Sequence, residues 1–270
     1  MGVKVFPSIP TCWHHNDKIS QKYLLESLDA PVIPTYVFYD CQEALAWIRK
    51  ASFPKVLKLR EGSGGQHVWL LKTRDEARIM CQKAFGTGFY ALEGGCRKMI
   101  KKTRPAKVVV DMCRTVYQTL KTFYISDNGI DGFPMRADYL YLQDYLQGNE
   151  GDTRISVIGN RAFGFRRLGS SENFRAGGKK VVYDPSLIDR ECIKIALAIS
   201  RKGKFQSMAY DFLFDQEQGR PLICEISCVF GREAAQRCPG YWDSDLNWID
   251  GPLCCEEAII SDFLETLGMP

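Results

Sequence analysis

The stretch MAYDFLFDQEQGRPLICEIS, residues 208–227, contains two apolar runs that are each interrupted by one acidic residue. Aromatic and β-branched residues dominate both runs and DQEQG between them is a turn sequence, so the stretch predicts a β-hairpin. If the turn lies around residues 216–220, Asp211 and Glu225 fall nearly opposite each other on adjacent strands. Two like charges in such a pair are destabilising unless a cation lies between them.

Two interpretations of this carboxylate pair remain open. Magnesium is bound through one or two protein carboxylates together with water and phosphate oxygens, so the pair could hold Mg²⁺ that bridges the β- and γ-phosphates of a nucleotide. Alternatively, a buried carboxylate pairs with Arg154 or Arg166, which lie on the preceding predicted hairpin.

A glycine-rich segment, EGSGGQ at residues 61–66, lies between the predicted strands FPKVLKL and HVWLLK. It matches neither a Walker loop nor a dinucleotide fingerprint, because both continue into a helix. Its backbone amides could wrap an anion, although most such turns bind nothing. Lys58 lies in the apolar run just before it, where a phosphate would be a natural partner for its charge; the alternatives are a solvent-exposed ammonium or a pair with Glu61.

Helices and strands alternate irregularly along the rest of the chain. Asn16 or Asp17 can cap a helix through KISQKYLLESLDA, and Asp40 can cap CQEALAWIRKA. A capping box, Thr73 with Glu76, predicts a third helix. VIPTYVFY and YLYLQDYL read as strands.

The second half of the chain is predicted in the same way. DTRISVIG and RAFGFRRL form a hairpin, Pro185 stands in the first turn of the helix SLIDRECIKIALAIS, and a last helix runs from about Cys255 to Leu267. Hairpins mixed with helices favour an α+β architecture with antiparallel sheets over a doubly wound one.

Composition excludes several classes of protein. The 270 residues are 45% hydrophobic and 25% charged, without an apolar run long enough to span a bilayer or the long apolar stretch of a secretion signal. Eleven cysteines without CxxC pairs indicate free thiols in a reducing cytoplasm. A net charge of +4 is too small to predict nucleic-acid binding. We therefore expect a cytoplasmic protein without a membrane span.

One segment is locally basic. Between residues 97 and 107 the chain carries six basic residues and no acidic one: Arg97, Lys98, Lys101, Lys102, Arg104 and Lys107. This segment is either a solvated helical face, a lid over phosphates or a docking surface for an acidic partner.

A lysine strand, a glycine loop, the QDYL segment, an arginine-bearing hairpin and the carboxylate pair follow one another in an order that resembles the ATP-grasp superfamily. The resemblance runs from Asn16 to about Gly231, and is closest to the ribosomal-protein glutamate-ligase branch and more distant to D-alanine:D-alanine ligase. It implies an α+β fold in which two lobes with antiparallel sheets enclose ATP.

The resemblance also implies a domain organisation. Residues 1–15 would be a lead-in, residues 16–140 a first lobe with the glycine loop and the basic insertion, and residues 141–270 a second lobe with the metal site and the last helix. ATP-grasp ligases usually begin with a separate amino-terminal lobe. We expect that lobe to be absent or truncated here, with a partner, a homo-oligomer or residues 89–136 supplying the missing wall.

Residue roles in nucleotide binding follow from the same resemblance. Lys18 and Lys58 would hold the α- and β-phosphates. The amides of four loop residues would cover the nucleotide: Gly62, Ser63, Gly64 and Gly65. The adenine edge would meet the segment Gln143, Asp144, Tyr145 and Leu146, through the backbone of its second and fourth residues. Asp152 would lie near the ribose or the loop over it.

The resemblance also implies which residues take part in phosphoryl transfer and metal binding. The transferring phosphoryl group would meet three arginines, Arg154, Arg166 and Arg175. Mg²⁺ would be held by Asp211 and Glu225, and Ser227 stands where the family usually has an asparagine. Ala176, within FRAGG, replaces a usual polar residue and suggests an altered phosphoryl site.

These features together predict an ATP- and magnesium-dependent carboxylate-amine ligase that forms an amide through an acyl-phosphate. The alternatives are an ATP-grasp kinase acting on a small molecule or sugar, and a degenerate nucleotide-binding or scaffold protein. The substrates would be a carboxylate and an amine, with a sugar-linked acceptor left open. Three aromatic residues near the tail would either stack on a substrate ring or pack in the core: Tyr241, Trp242 and Trp248.

Overall fold

The computed structural model describes residues 3–62, 65, 67–89, 137–169 and 180–268. Within these ranges the α-helices are α1 (Ile9–Cys12), α2 (Lys18–Ser27), α3 (Cys41–Ile48), α4 (Arg74–Phe85), α5 (Arg190–Gly203), α6 (Arg232–Gln236) and α7 (Cys255–Thr266). The strands are β1 (Thr35–Phe38), β2 (Lys55–Lys58), β3 (Val68–Leu71), β4 (Leu140–Asp144), β5 (Gly151–Ile158), β6 (Arg161–Leu168), β7 (Lys180–Val182), β8 (Ser207–Asp215), β9 (Arg220–Ser227), β10 (Gly240–Trp242) and β11 (Trp248–Asp250).

Contacts divide the described residues into two units. The larger unit comprises Met1–Thr35, Arg60–Gly65 and Gln143–Pro270, and the smaller unit comprises Tyr36–Leu59 and Gln66–Leu142. The predicted division of the chain at residues 15 and 140 into lobes stays a prediction, as does the absence of an amino-terminal lobe.

A seven-stranded sheet forms the larger unit. Its strands lie in the order β11-β10-β6-β5-β8-β9, with β7 paired to β6, and each pairing is antiparallel. Both predicted hairpins are confirmed as β5–β6 and β8–β9. Since side chains alternate along a strand, Ile155 and Val157 point to one face of β5 while Asp152 and Arg154 point to the other.

The two faces of this sheet are covered differently. Ile155 and Val157 belong to a buried cluster with Ile193 and Ala196 of α5, so this helix packs on the first face. On the second face, aromatic residues of β6 pack with small residues in α6, just after α6 and in α7: Phe163, Phe165, Ala235, Cys238, Cys255 and Ala258. The part of the second face near Asp152 and Arg154 carries charged side chains instead.

The smaller unit is built on a four-stranded sheet in the order β1-β4-β2-β3, in which β2 and β3 are antiparallel. The predicted strand pair around the glycine loop is therefore confirmed. Buried leucines of the sheet pack against small and apolar residues of α3 and α4: Leu57, Leu71, Leu140, Leu142, Ala44, Ile48, Ala77 and Cys81. This core is separate from the cores of the larger unit.

Most predicted helix starts are confirmed by their caps. Asp17 accepts from the amides of Ile19 and Ser20, Asp40 from that of Glu43, and Thr73 caps α4. The prediction was wrong at the start of α5. Residues Pro185–Leu187 form a separate 3-10 turn, and α5 begins only at Arg190, because the Asp189 side chain caps it there by accepting from Glu191.

The same description bears on the cysteines and on membrane spans, but it does not reach several segments named from the sequence. The nine described cysteines form no disulfide. No helix in the described ranges is long and apolar enough to cross a membrane. The basic segment at residues 97–107, the FRAGG segment with Arg175, and loop residues Ser63 and Gly64 lie outside the described residues.

Candidate functional site

A row of charged side chains crosses the second face of the large sheet. In the strand register, Arg154 of β5 lies opposite Asp211 of β8, which in turn lies opposite Glu225 of β9. The predicted juxtaposition of Asp211 and Glu225 is thereby confirmed. An irregularity in the pairing follows directly after Asp211, so the ladder is disturbed at the acidic pair.

Asp211 is held by two arginines. Arg154 binds it in a bidentate manner, with Nε 2.6 Å from Oδ1 and Nη2 2.7 Å from Oδ2. Arg167 of β6 adds a third contact, with its Nη2 2.8 Å from Oδ2. The alternative interpretation of Asp211, a carboxylate paired with arginine, therefore describes this arrangement.

Arg167 also binds a second carboxylate. Its Nε lies 2.7 Å from Oδ1 of Asp152 and its Nη2 contacts Oδ2, so one guanidinium bridges Asp152 and Asp211. Asp152, Arg154, Arg167 and Asp211 thus form one four-residue charge cluster in which two anions balance two cations. The cluster is mostly buried, and the Asp152 side chain is only 3% exposed.

Burial and pairing move the pKa values of this cluster in opposite directions. Burial raises the pKa of Asp152 to about 6, with the charge of Asp211 adding to burial and Arg167 opposing both. Burial alone would also raise the pKa of Asp211, but Arg154 and Arg167 outweigh it and lower that pKa below its ordinary value. As the pH falls, Asp152 is consequently protonated before Asp211.

Of the two neighbouring arginines of β6, Arg166 was named from the sequence and Arg167 was not. Arg167 lies opposite Asp152 in the register, whereas Arg166 lies opposite Thr153 and so points to the other face of the sheet. Side chains alternate between the two faces of a strand, so Asp152 and Arg154 share one face of β5. In a hairpin with this register, Arg167 of β6 lies on that same face, and this alternation could have identified it from the sequence. A role for Arg166 in phosphoryl transfer stays a prediction, as does one for Arg175.

Lys18 connects the start of α2 to the glycine segment and to β9. Its Nζ donates to the carbonyl of Gly62 at 2.7 Å and lies 3.6 Å from Oε1 of Glu225. The Gly62 amide donates to Oδ1 of Asn16, and the Lys18 amide donates to the carbonyl of Arg60. Residues 16–18 therefore hold the first residues of the glycine segment beside Glu225, at the acidic end of the charged row.

Two glycines of that segment need their residue type for backbone reasons. Gly62 has φ of 125° and Gly65 has φ of 77°, in a region that other residues rarely adopt. Lys58 precedes this segment in β2 of the smaller unit, where it is buried and lies opposite Val68. That Lys58 and the loop amides bind phosphate stays a prediction.

The QDYL segment is anchored by its first two residues. Gln143 is buried, and its Nε2 donates to Oγ1 of Thr35 at 3.1 Å. The amide of Asp144 donates to the carbonyl of Pro34, and the carbonyl of Leu146 accepts from Nδ2 of Asn149. An adenine contact through the Asp144 amide would therefore require that bond to break; contacts from this segment, Tyr145 included, stay predictions.

The residues named for magnesium do not fit a metal ion as they are arranged. Both oxygens of Asp211 accept from guanidinium groups, Glu225 faces Lys18, and the Ser227 hydroxyl donates to the carbonyl of Val229 at 2.7 Å. Among the residues that the structure describes, no three His, Cys, Asp or Glu side chains gather as a metal site would require. The charged row has no excess negative charge to attract a divalent cation.

The tail aromatics pack mainly with one another and with the core. Trp242 is buried, and its ring centroid lies 4.7 Å from that of Trp248 in an edge-to-face arrangement. Tyr241 is partly buried against the apolar cluster under α6 and α7. For these residues the core-packing alternative describes the structure.

Comparison with known proteins supports the fold. No family model matches the chain, and no curated protein matches it in sequence. Among solved structures, an ATP-grasp RimK domain protein from Sphaerobacter thermophilus superposes with a TM-score of 0.51 at 14% identity, covering 98% of this chain and 72% of that one.

Two further solved structures share the fold. The ATP-grasp ligase PsnB, complexed with precursor peptide PsnA2 and AMPPNP, gives a TM-score of 0.54 at 12% identity, over 97% of this chain and 63% of that one. D-cycloserine synthetase DcsG gives 0.52 at 15% identity, over 95% and 73% respectively. The predicted α+β architecture is confirmed, and this chain has the ATP-grasp fold.

Proposed function

We propose that the protein is an ATP-dependent carboxylate-amine ligase. The observation that carries the proposal is the charged row on the large sheet, in which Arg154, Asp211 and Glu225 lie on successive strands and Lys18 closes the row at Glu225. Such a row supplies cationic donors for phosphate oxygens next to carboxylates. The fold supports the proposal, since solved ligases share it.

The proposed reaction has two steps. A carboxylate oxygen of the first substrate attacks the γ-phosphorus of ATP, and the bond to the β,γ-bridging oxygen breaks to release ADP. The nitrogen of an amine then attacks the carbonyl carbon of the acyl-phosphate, phosphate leaves, and the nitrogen loses a proton. Phosphoryl transfer depends mainly on positioning and on stabilising negative charge, so cationic side chains are the main requirement.

We propose that the side chains of Lys18, Arg154 and Arg167 stabilise the negative charge on the phosphate oxygens. Lys18 is a buried residue whose ammonium group is costly to desolvate unless an anion is near, and Oε1 of Glu225 lies 3.6 Å from it. The two guanidinium groups present planar forks that suit phosphate as well as carboxylate. Magnesium dependence through Asp211 and Glu225 is part of the proposal on the resemblance alone. A cytoplasmic location is part of it on the cysteine pattern, and a sugar-linked acceptor on the tail aromatics and the basic segment.

Product analysis tests the proposal. The protein is incubated with ATP, Mg²⁺ and a panel of carboxylate and amine pairs, and the products are identified by mass spectrometry. We expect ADP, phosphate and an amide from one class of pairs. ADP with a stable phosphorylated product would instead indicate a kinase.

A pair of lysine variants makes the test specific to the site. We expect Lys18→Gln to weaken ATP binding about tenfold or more, because one phosphate contact is lost. Lys22→Gln is the matched control, since Lys22 lies one turn later on α2 and pairs with Glu26 in an i,i+4 contact. Equal ATP affinities for both variants would contradict the proposed place of Lys18.

One observation favours a second candidate function, a nucleotide-binding protein without ligase chemistry. Asp211, the carboxylate named for the metal, is neutralised by Arg154 and Arg167. A protein of that kind would bind ATP equally with and without Mg²⁺ and form no amide with any pair in the panel. Turnover that depends on Mg²⁺ and is lost in Asp211→Asn would exclude it.

A further inference from the structure

We propose that a cavity in the larger unit binds a small organic amine. The cavity has a volume of about 500 Å³, which is within the range of small-molecule sites. Its lining includes Phe6, residues 159–161 in and after the β5–β6 turn, Gln206, and residues of β10, β11 and α7. The ligand that we infer has one protonated amine on a compact apolar body. This inference does not depend on the proposed function.

This cavity is separate from the charged row. Arg154 of the row lies in the middle of β5, whereas Gly159 and Asn160 follow the end of that strand and line the cavity. A strand rises about 3.3 Å per residue, so the step from Arg154 to Gly159 spans roughly 16 Å. A compact ligand in the cavity therefore does not reach the contact between Arg154 and Asp211.

The packing of α7 changes where the cavity begins. In the first turns of this helix, Cys255 and Ala258 are buried in a cluster with Phe163 of β6. Asp262 follows Ala258 by four residues and so lies on the same side of the helix. There the helix contacts the sheet through an ion pair, in which Nη1 of Arg161 donates to Oδ1 of Asp262 at 2.8 Å. Apolar contact is thus replaced by a polar pair that lines the cavity.

The carboxylate of Asp262 is only partly satisfied. Its Oδ2 is buried and has no hydrogen-bond partner among the described residues. This oxygen lies against Gly159, where a Cβ would overlap it, so a glycine is needed for the carboxylate to approach the turn so closely. Leaving a buried acceptor unpaired is costly, and a charged donor is a strong partner for it. An ammonium group beside Asp262 would supply that donor.

The charges around the cavity select for a cation. Among the described residues, one basic and three acidic side chains line it: Arg161, Asp243, Asp262 and Glu265. Arg161 already pairs with Asp262, so the other two carboxylates are in excess. Hydrogen bonds from the amide and the side chain of Asn247 lower the pKa of Asp243, which keeps this carboxylate ionised at neutral pH. A protonated amine would therefore be attracted, whereas a carboxylate or a phosphate would be repelled.

Apolar side chains form another part of the lining. Three are aromatic and two are aliphatic: Phe6, Tyr241, Phe263, Ile249 and Ile259. Phe6 and Ile249 are 38% and 37% exposed although both are large and apolar, so a ligand would shield apolar surface from water. A compound with an apolar body and one amine matches both parts of the lining. A polyamine or a sugar would match only one.

Methyl NMR of the full chain tests the site. With isoleucine methyl groups labelled, Ile249 and Ile259 report on the cavity, and Ile193, buried in the core under α5, reports on the rest of the unit. Phenethylamine is titrated as the probe, with phenethyl alcohol and hydrocinnamate as its neutral and anionic analogues. We expect saturable shifts of the two cavity methyl groups with the amine, about tenfold weaker binding of the alcohol, and no binding of hydrocinnamate.

Variants that remove one carboxylate make the test specific to the cavity. We expect Asp262→Asn to weaken binding of phenethylamine about tenfold, because the charge is lost while the shape is kept. Asp29→Asn is the matched control, since Asp29 also pairs with a cation, Lys202, but does not line the cavity. Glu265→Gln is a second variant at an exposed position, so it does not endanger the fold. There we expect affinity to fall about two- to fivefold.

The wild-type titrations decide the matter even if Asp262→Asn does not fold. Absence of saturable shifts with phenethylamine would overturn the site, and so would shifts of Ile193 that equal those of the two cavity methyl groups. Equal affinities for phenethylamine and hydrocinnamate, or an amine affinity that neither Asp262→Asn nor Glu265→Gln alters, would overturn the role of the carboxylates. Each of these results would leave the proposed ligase function standing, because none of the titrations involves ATP.

Discussion

His14 is a fully buried residue whose ring nitrogens both lack a hydrogen-bond partner among the described residues. Its ring lies 5.7 Å from that of Trp13 and 5.8 Å from that of Phe205, between centroids. Burial lowers the pKa of His14 from its ordinary value of 6.5, because the charged imidazolium would lose its hydration. The native protein therefore keeps this histidine neutral.

His14→Phe should reduce the acid sensitivity of folding. A folded-state pKa below the unfolded value gives stability that is present above about pH 6.5 and is lost as the pH falls towards the folded pKa. His14 therefore lowers the free energy of unfolding by at most about 1.4 kcal/mol per pH unit in that window. Urea denaturation between about pH 7.5 and about pH 5.5, each about one unit from the ordinary pKa, measures the slope.

A buried residue without a titratable group provides the control. Phe163 is such a residue, so Phe163→Leu should lower stability equally at both pH values and leave the slope unchanged. An unchanged slope in His14→Phe would show that another group causes the acid sensitivity.

Arg167 should not be replaceable by lysine. A lysine keeps the charge but has no planar fork, so it cannot hold Asp152 in a bidentate manner while it contacts Asp211. We expect Arg167→Lys to lower the free energy of unfolding by about 1–3 kcal/mol, as measured by urea denaturation. Arg166→Lys, at the next position on the opposite face, should change it by less than about 0.5 kcal/mol. Equal losses of unfolding free energy in the two variants would mean that stability depends on strand β6 in general and not on the charge cluster.

At the scale of elements, the capping residue at the start of α2 also contacts a residue outside the helix. Asp17 accepts from two amides of the first turn and from the Ser20 hydroxyl, and its Oδ2 lies 2.5 Å from Nη2 of Arg60. These contacts lower the pKa of Asp17 below its ordinary value against the opposing effect of burial. The cap therefore links α2 to the residue that precedes the glycine segment.

Asp17→Ala should consequently affect both stability and ATP binding. Loss of the cap should cost about 1–2 kcal/mol of unfolding free energy, and the glycine segment should lose its anchor at Arg60. Asp40→Ala is the control, because Asp40 caps α3 with one bond to the Glu43 amide. We expect a similar stability loss there without a change in ATP affinity, both measured by calorimetry. Unaltered ATP affinity in Asp17→Ala would contradict the link.

Helices and strands with strong local signals could be predicted from the sequence. The contacts between side chains of different elements were harder to predict. Caps and apolar periodicity located α2, α3, α4 and both large hairpins, since these signals act within a few residues. The short pair β10–β11 and helix α6 carry no such signal and were missed. Asp211 and Glu225 could be paired because one turn fixes their register. Which arginines contact Asp211 depends on how the separate hairpin β5–β6 is aligned with β8. The sequence does not fix that alignment, so Arg167 was missed.

At the scale of the whole molecule, the chain has two units with separate buried cores. The smaller unit packs Leu57 with helices α3 and α4, and the larger unit packs Ile193 of α5 against its sheet. Both residues are about 1% exposed or less, so each contributes its full side chain to one core. Units of this kind can open separately when their own cores are weakened.

Leu57→Ala and Ile193→Ala should therefore destabilise different parts of the chain. Each truncation should lower the stability of its own unit by about 2–5 kcal/mol, because a cavity remains where the side chain was. Hydrogen exchange measured by mass spectrometry should accelerate in peptides of Tyr36–Leu59 for the first variant and in peptides of α5 and β8 for the second. Acceleration throughout the chain in either variant would show that the two cores unfold as one cooperative unit, and the charged row would then depend on the smaller unit for its stability.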